Sequence, residues 1–192
     1  MVHAGRVAWT AADLAAMPDD PFRYELVNGR LVQTAPAPID PSETRQRLGA
    51  ALRAYADTHG GRAYTDGSGF IVTPSGEAGQ ETGQTVLRPA AAYVRDEDVE
   101  EDSHGYVRCA PDLAVEVVSL SQFRPAMMRE KARLWLSRGC RLVWIAWPDR
   151  KKIEVWRGDG RPAHIVRPSD DLDGMDALPG FRCAVADIFS DI

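Results

Sequence analysis

The sequence predicts a mixed α/β fold, and three features carry that prediction. Two apolar runs at 113–118 and 141–147 are separated by a helical pattern at 126–138, an order in which the two strands usually become parallel neighbours. A longer helical pattern covers 42–59. An Asn-Gly pair at 28–29, flanked by short apolar runs, predicts a hairpin. The expected architecture is a mixed central sheet flanked by helices, with an additional N-terminal hairpin and a strand-rich middle.

The first elements have clear boundaries. Thr10 is a helix cap, and Pro18 ends the short helix that follows it. The hairpin spans 23–32, and the helix at 42–59 ends at the glycine pair 60–61.

Short strands and polar loops alternate through the rest of the chain. The Gly-rich segment 75–84 predicts the tip of a hairpin, and 96–102 predicts an acidic surface loop. After the strand at 141–147 the chain turns and pairs back through 153–156, and a short helix completes the tail of 176–192. The remaining predicted strands are 62–64, 68–73, 85–87 and 91–94.

The composition is that of an ordinary globular protein. The 192 residues predict one domain spanning 1–192. No apolar run approaches the roughly 20 residues of a membrane span, and the N-terminus lacks the pattern of a signal peptide. Three cysteines without a Cys-x-x-Cys pair indicate reduced thiols and a cytoplasmic protein, and four scattered histidines argue against a zinc site.

Charge is distributed unevenly along the chain. The net charge of −5 argues against a general nucleic-acid coat protein. The segment 124–152 nevertheless holds nine Lys or Arg against two Asp or Glu, a balance of +7. This segment is either a solvated helix face with a basic turn or a local phosphate-facing patch beside a site.

One carboxylate stands inside a strand made for the core. Glu116 lies in an Ala-Val-Glu-Val-Val run, where an ionised Glu costs several kcal/mol unless a cation or a hydrogen-bond network compensates it. Either this face of the strand is solvated or the charge has a function. Asp112 shares the face but lies about 13 Å away at roughly 3.3 Å per residue, so the two cannot hold one metal ion together.

Two further residues are candidates to meet Glu116. Lys131 falls inside the apolar stripe of the crossover helix. There it would neutralise Glu116, or hold a phosphate or an attacking water, or else extend to solvent at the edge of the stripe. Glu25 lies on the opposite face of its strand from its two apolar neighbours, where it is either a site residue or a solvated side chain. The stripe consists of Met127, Met128, Leu134 and Trp135.

A series of short motifs runs along nearly the whole chain, from Trp9 to Phe189. They are Tyr-Glu-Leu-Val-Asn-Gly at 24–29, Arg-Pro at 88–89, Val-Glu-Val-Val-Ser-Leu-Ser at 115–121, Lys131, Trp-Leu at 135–136, Gly139, Leu-Val-Trp at 142–144, Leu-Pro-Gly-Phe at 178–181 and Ile-Phe at 188–189. In their order and spacing, these motifs resemble the Uma-type restriction endonuclease family of the PD-(D/E)XK nuclease superfamily.

The resemblance implies a restriction-endonuclease-like core and metal-assisted hydrolysis of DNA phosphodiester bonds. It implies that Glu116 binds Mg²⁺ or Mn²⁺ and that Glu25 supports the metal or the water. Lys131 would stabilise the nucleophile or the phosphate from the helix, since Val118 occupies the usual lysine position on the strand. The candidate nucleic-acid contacts are Arg88, Arg124 and Arg129.

Two departures from the family pattern stand out. The expected Pro-Asp pair reads Pro89-Ala90, so one metal-binding carboxylate is missing, and the region 41–44 lacks the histidine that starts the long helix in the family. Such a chain is an impaired or inactive member, or it recruits a replacement such as Asp112 or Asp66, or position 90 carries an introduced substitution.

Two functions follow from these observations. The first is a Mg²⁺-dependent DNA endonuclease, expected as a homodimer because double-strand cutters of this fold often pair two sites. The alternative is a catalytically inactive member that acts as a nucleic-acid- or protein-binding module. A plain interaction domain without a nucleic-acid role is a weaker third option.

Overall fold

The computed structural model describes residues 8–18, 23–34, 42–65, 67–72, 83–95, 99–102, 104–118 and 125–190. Within these ranges the chain forms four α-helices and three β-sheets. The helices are α1 (Ala11–Ala15), α2 (Ser42–His59), α3 (Pro125–Ser137) and α4 (Val185–Ile188), and a 3₁₀ turn covers Pro148–Arg150. The strands are β1 (Arg23–Val27), β2 (Arg30–Thr34), β3 (Arg62–Thr65), β4 (Phe70–Ile71), β5 (Val86–Leu87), β6 (Ala91–Val94), β7 (Leu113–Val117), β8 (Leu142–Trp147), β9 (Lys152–Arg157), β10 (His164–Val166), β11 (Asp171–Asp173) and β12 (Arg182–Ala184).

The largest sheet is six-stranded, in the order β10-β9-β8-β7-β6-β3. Strands β7 and β8 run parallel and are joined by α3, which confirms the predicted crossover. The other described pairs of this sheet are antiparallel. A parallel pair needs such a crossover because its second strand must start at the same edge as the first.

A smaller sheet, in the order β2-β1-β5-β4, is built on the predicted hairpin. Asn28 and Gly29 both have positive φ, 51° and 71°, as the two central residues of a type I′ turn require. The Gly29 N–H donates to the carbonyl of Gln84 at 2.8 Å, which ties this turn to the residues just before β5. β11 and β12 form a separate two-stranded sheet.

Each face of the six-stranded sheet has its own core. On one face, Leu48 and Leu52 of α2 pack with Val115, Trp144 and the C-terminal Phe181. The opposite core contains Ala114, Ile145 and Trp147 of the sheet together with Ala132 and Trp135 of α3. Since side chains alternate along β7, Glu116 shares the α3 side with Ala114, away from Val115.

Several local expectations differ from the structure. Strand β4 is shorter than the predicted 68–73, and Glu101 in the predicted acidic loop makes an isolated bridge to Val107. Met127, expected in the buried stripe of α3, is 48% exposed because the first turn of the helix lies at the edge of the buried surface. Most of the predicted hairpin tip and residues 96–98 lie outside the described residues. No helix in the described ranges is long and apolar enough to cross a membrane.

Candidate functional site

Glu25 is a buried carboxylate on β1. Its exposed fraction is 4%, so the solvated alternative is not the one adopted. Its Oε1 accepts a hydrogen bond from the backbone N–H of Arg88 at 2.6 Å. Arg88 directly follows β5, which pairs with β1, so the smaller sheet itself positions this carboxylate.

Glu116 is a second buried carboxylate, the fourth of the five residues of β7 and 5% exposed. It lies opposite Ile145 of β8 in the parallel pairing. The indole Nε1–H of Trp135 donates to Glu116 Oε1 at 2.8 Å. Because Trp135 belongs to α3, the crossover helix both covers Glu116 and supplies one of its hydrogen bonds.

Lys131 joins the two carboxylates. Its Nζ lies 2.8 Å from Glu25 Oε1 and 2.9 Å from Glu116 Oε1, and it donates to the backbone carbonyl of Arg88 at 3.3 Å. An ammonium group has three N–H donors, so each has an acceptor here. The side chain is 17% exposed, which means that solvent or a ligand can still reach it.

For both Glu116 and Lys131, burial and the charge of the partner shift the pKa in opposite directions. Burial raises the pKa of Glu116 above its ordinary value of 4.5; the Lys131 ammonium opposes this shift and the carboxylate of Glu25 adds to it. Burial alone would lower the pKa of Lys131, but the attraction of Glu116 and Glu25 outweighs it and raises that pKa above 10.5. Lys131 is therefore charged at neutral pH.

Residues 11–186 match the sequence profile of the Uma2 family, whose description reads "Putative restriction endonuclease". The chain belongs to the Uma2 family. This match confirms the family that the sequence motifs indicate. It extends over the four-stranded sheet, the six-stranded sheet and α3, which carry Glu25, Glu116 and Lys131 respectively.

A solved structure has the same fold as this Uma2 protein. It is described as the "Crystal structure of a putative nuclease belonging to DUF820 from Anabaena variabilis". The two chains are 15% identical and superpose with a TM-score of 0.74. The alignment covers 94% of this chain and 97% of the other. The likeness confirms the nuclease-like mixed α/β architecture. No curated protein matches the chain.

Ala90 of this Uma2 protein contributes no oxygen to the site. Its backbone N–H donates to the carbonyl of Val115 at 2.8 Å, next to Glu116 on β7. Its methyl group packs in the core on the α2 side of the sheet, whereas Glu116 bonds to residues of α3. Position 90, where the family pattern places an Asp, is thus hydrogen-bonded to the residue next to Glu116. Its alanine side chain makes apolar contacts in the core instead of offering a carboxylate to the site.

Asp112, one of the two candidate replacements for that missing carboxylate, does not join the site. Asp112 lies just before the N-terminal end of β7, where its carboxylate accepts from the Arg95 N–H at 2.9 Å and lies 3.4 Å from Nη1 of Arg141. Asp66 lies outside the described residues. Among the residues that the structure describes, no group of three or more His, Cys, Asp or Glu is arranged to hold a metal ion.

The oxygen atoms around Lys131 nonetheless fit a hard cation in their chemistry. Carboxylate oxygens of Glu25 and Glu116 and the carbonyl of Arg88 converge on Nζ, and such oxygens are the ligands that Mg²⁺ and Mn²⁺ prefer. The cation at their centre is the Lys131 ammonium. The donor set therefore suits a divalent ion in kind, while its central position is held by a side chain of the protein.

A third buried carboxylate lies on the same face of the sheet. Glu154 of β9 is opposite Ile145, which is itself opposite Glu116, so the two glutamates are in register two strands apart. Glu154 is 2% exposed. Its carboxylate accepts two hydrogen bonds from the Arg129 guanidinium, at 2.9 and 3.1 Å, and one from Lys152 Nζ at 2.9 Å. Burial alone would raise its pKa, but these two cations outweigh burial and lower the pKa below 4.5.

The three candidate nucleic-acid contacts have different surroundings. The guanidinium of Arg88 donates to the Tyr106 hydroxyl at 3.0 Å and lies over its ring, while the backbone of the same residue serves the site. Arg129 is paired with Glu154 but remains 43% exposed. Arg124 lies outside the described residues.

Three features of the site have only weak signals in the sequence. Trp135 reads as an ordinary residue of an apolar stripe, although its spacing of four from Lys131 places both on one helix face. The backbone of Arg88 has no sequence signal as a ligand of both Glu25 and Lys131. Glu154, in the middle of an apolar strand, carried the same signal as Glu116.

Proposed function

We propose that this Uma2 protein hydrolyses DNA phosphodiester bonds with a divalent metal ion at Glu25, Glu116 and Lys131. The observation that supports it most is the convergence of these side chains from β1, β7 and α3, elements that are far apart in the chain. Stability alone does not call for such a cluster, since well-packed apolar residues are often as stabilising as a buried ion network.

Each residue has a role in this proposal. Glu116 and Glu25 hold the ion, Trp135 orients Glu116 through its indole N–H, and the Arg88 N–H orients Glu25. A bound Mg²⁺ or Mn²⁺ would polarise the phosphate and activate a water molecule. Lys131, released from the carboxylates, would hold a phosphate oxygen or the attacking water.

The proposed DNA contacts are Arg129 of α3 and Arg124, both within the basic segment 124–152. Arg129 is exposed enough to reach a phosphate while Glu154 fixes the direction of its guanidinium. The Arg129–Glu154 pair is bidentate, a geometry that fixes the plane of the guanidinium. Positive charge gathered beside the site would offset the net negative charge of the chain.

The direct experiment is a plasmid-nicking assay with Mg²⁺ or Mn²⁺. We expect nicking by the parent protein and a loss of about a hundredfold or more in Glu116→Gln, because the variant lacks a carboxylate to hold the ion. Glu130→Gln is the matched control, since Glu130 lies beside Lys131 in sequence but is exposed. Absence of nicking by the parent, or equal nicking by Glu116→Gln, would contradict the proposal.

A second candidate function is binding without catalysis, to nucleic acid or to a protein. Ala90 favours it, since the site lacks one carboxylate, and so does the complete pairing of the Lys131 donors. A salt-dependent mobility shift of DNA in the absence of nicking would support it. Micromolar Mn²⁺ binding that disappears in Glu116→Gln would count against an inert site.

Assembly and location are also part of the proposal. A homodimer would place two sites on the two strands of a duplex, and light scattering after gel filtration tests it directly. The thiols of Cys140 and Cys183 are not in disulfides, which supports a reducing compartment such as the cytoplasm.

A further inference from the structure

We propose that Lys131 is the resident cation of the carboxylate site and keeps divalent metal out until it leaves. This inference deepens the proposed function, since it concerns the same three side chains. It starts from the position of Nζ, which lies within 3.3 Å of three oxygens supplied by Glu25, Glu116 and the Arg88 backbone.

The hydrogen bonds leave little for a second cation to use. Glu116 Oε1 accepts from both Trp135 Nε1 and Lys131, and Glu25 Oε1 accepts from both the Arg88 N–H and Lys131. The Oε1 atom of each carboxylate is thus already engaged by two donors. A metal ion that binds there must take these oxygens from the ammonium.

Charge makes the two cations mutually exclusive. A divalent ion bound by the same oxygens would lie within a few ångströms of Nζ, and like charges at that distance in a buried site repel strongly. Glu25 and Glu116 carry at most two negative charges, so they cannot neutralise both a divalent ion and Lys131.

A phosphodiester group is the chemistry that can release the site. Its oxygens offer the ammonium a new charged acceptor, and Lys131 is 17% exposed and so within reach of a ligand. DNA would then draw Lys131 away from Glu25 and Glu116 as the metal enters, so each ligand would favour the binding of the other.

The test measures Mn²⁺ affinity without DNA. By titration calorimetry, Lys131→Met should bind Mn²⁺ about tenfold or more tightly than the parent, since the side chain keeps an unbranched apolar stem but loses the competing charge. Arg133→Met is the matched control: it removes one positive charge from the exposed side of the same helix and should stay within about twofold of the parent. Adding Glu116→Gln to Lys131→Met should abolish the gain.

Other outcomes also decide the matter. Lys131→Met that binds no more tightly than the parent, or a gain equally large in Arg133→Met, would overturn the inference. If Lys131→Met is unfolded alone but folds on addition of Mn²⁺, the metal has replaced the ammonium and the inference stands. If neither Lys131→Met nor Lys131→Gln folds at millimolar Mn²⁺, it fails. Nicking activity does not enter these readouts, so failure of the proposed hydrolysis is seen separately.

Discussion

At the scale of single residues, Glu116 is a costly group that the fold only partly compensates. It receives one indole N–H and shares one ammonium with Glu25, and burial still raises its pKa. A carboxylate with a raised folded-state pKa stabilises the protein only at low pH, and that contribution is lost as the pH rises through the folded-state pKa. The ionised carboxylate of Glu116 therefore lowers the stability of the folded protein at neutral pH.

This loss of stability gives a pH-dependent prediction. Glu116→Gln keeps an oxygen for the Trp135 N–H but has no charge to desolvate, so the raised pKa of Glu116 predicts that the variant is more stable than the parent at neutral pH. The difference should shrink as the pH falls through the folded-state pKa, and it should disappear well below pH 4.5, where Glu116 is protonated in both folded and unfolded chains. The raised pKa of Lys131 leaves its contribution constant across this window.

Urea unfolding of both proteins between pH 4 and pH 8 measures it. Glu130→Gln, an exposed neighbour on α3, should follow the parent at every pH. A variant that is less stable than the parent at neutral pH would show that the charge of Glu116 is fully compensated.

At the scale of elements, α3 is bound to the sheets by two separate ionic clusters. Lys131 reaches Glu116 and Glu25, and Arg129, one half-turn earlier, reaches Glu154 on β9. The first cluster links the helix to both the larger and the smaller sheet, while the second fixes it to the larger sheet alone. The direction of α3 over the site depends on both.

The second cluster predicts a loss of stability on acidification. The pKa of Glu154 is lowered, so its contribution is present above 4.5 and is lost as the pH falls through the folded-state pKa. Glu154→Gln should therefore cost about 2 kcal/mol at pH 7 and much less at pH 3, by urea unfolding. Asp159→Asn, in an exposed pair with Arg157, should change little at either pH. An equal cost at both pH values would mean that packing, not charge, explains the loss.

Sequence patterns predicted the elements well and the site in part. The hairpin, α2, α3 and the parallel pair β7–β8 rest on local signals: an Asn-Gly turn, helical spacing and a crossover. Strands β10, β11 and β12 were not predicted, because three-residue strands depend on their partners more than on their own residues. The clustering of Glu25 with Lys131 depends on how two sheets meet, which no local pattern specifies; the family resemblance supplied it.

At the scale of the whole molecule, the C-terminal segment completes a core. Leu172, Leu178, Phe181, Val185 and Ile188 are buried against the α2 side of the six-stranded sheet. The ring of Phe181 lies 5.4 Å from that of Trp144 and 5.8 Å from that of Tyr55. The tail therefore covers the sheet face opposite to the candidate site.

Removing one aromatic ring of this tail tests how much the tail contributes to the stability of the protein. Phe181→Ala should lower the free energy of unfolding by about 3–5 kcal/mol, since it opens a cavity between Trp144 and Tyr55. Ile165→Ala on β10, whose side chain is 37% exposed, should cost well under half as much. Equal losses in the two variants, measured by urea unfolding, would show that the tail adds no more than surface contacts.

The placement of Glu25 in one sheet and Glu116 in another has a consequence for biosynthesis. A ribosome releases β1 well before α3 and β7 shortly before it, so for a time a nascent chain holds both carboxylates without the lysine that joins them. The cluster forms only once the two sheets and the crossover helix have docked, and contacts so distant in sequence form late in folding. An unfinished or misfolded copy of this Uma2 protein would therefore lack an assembled site.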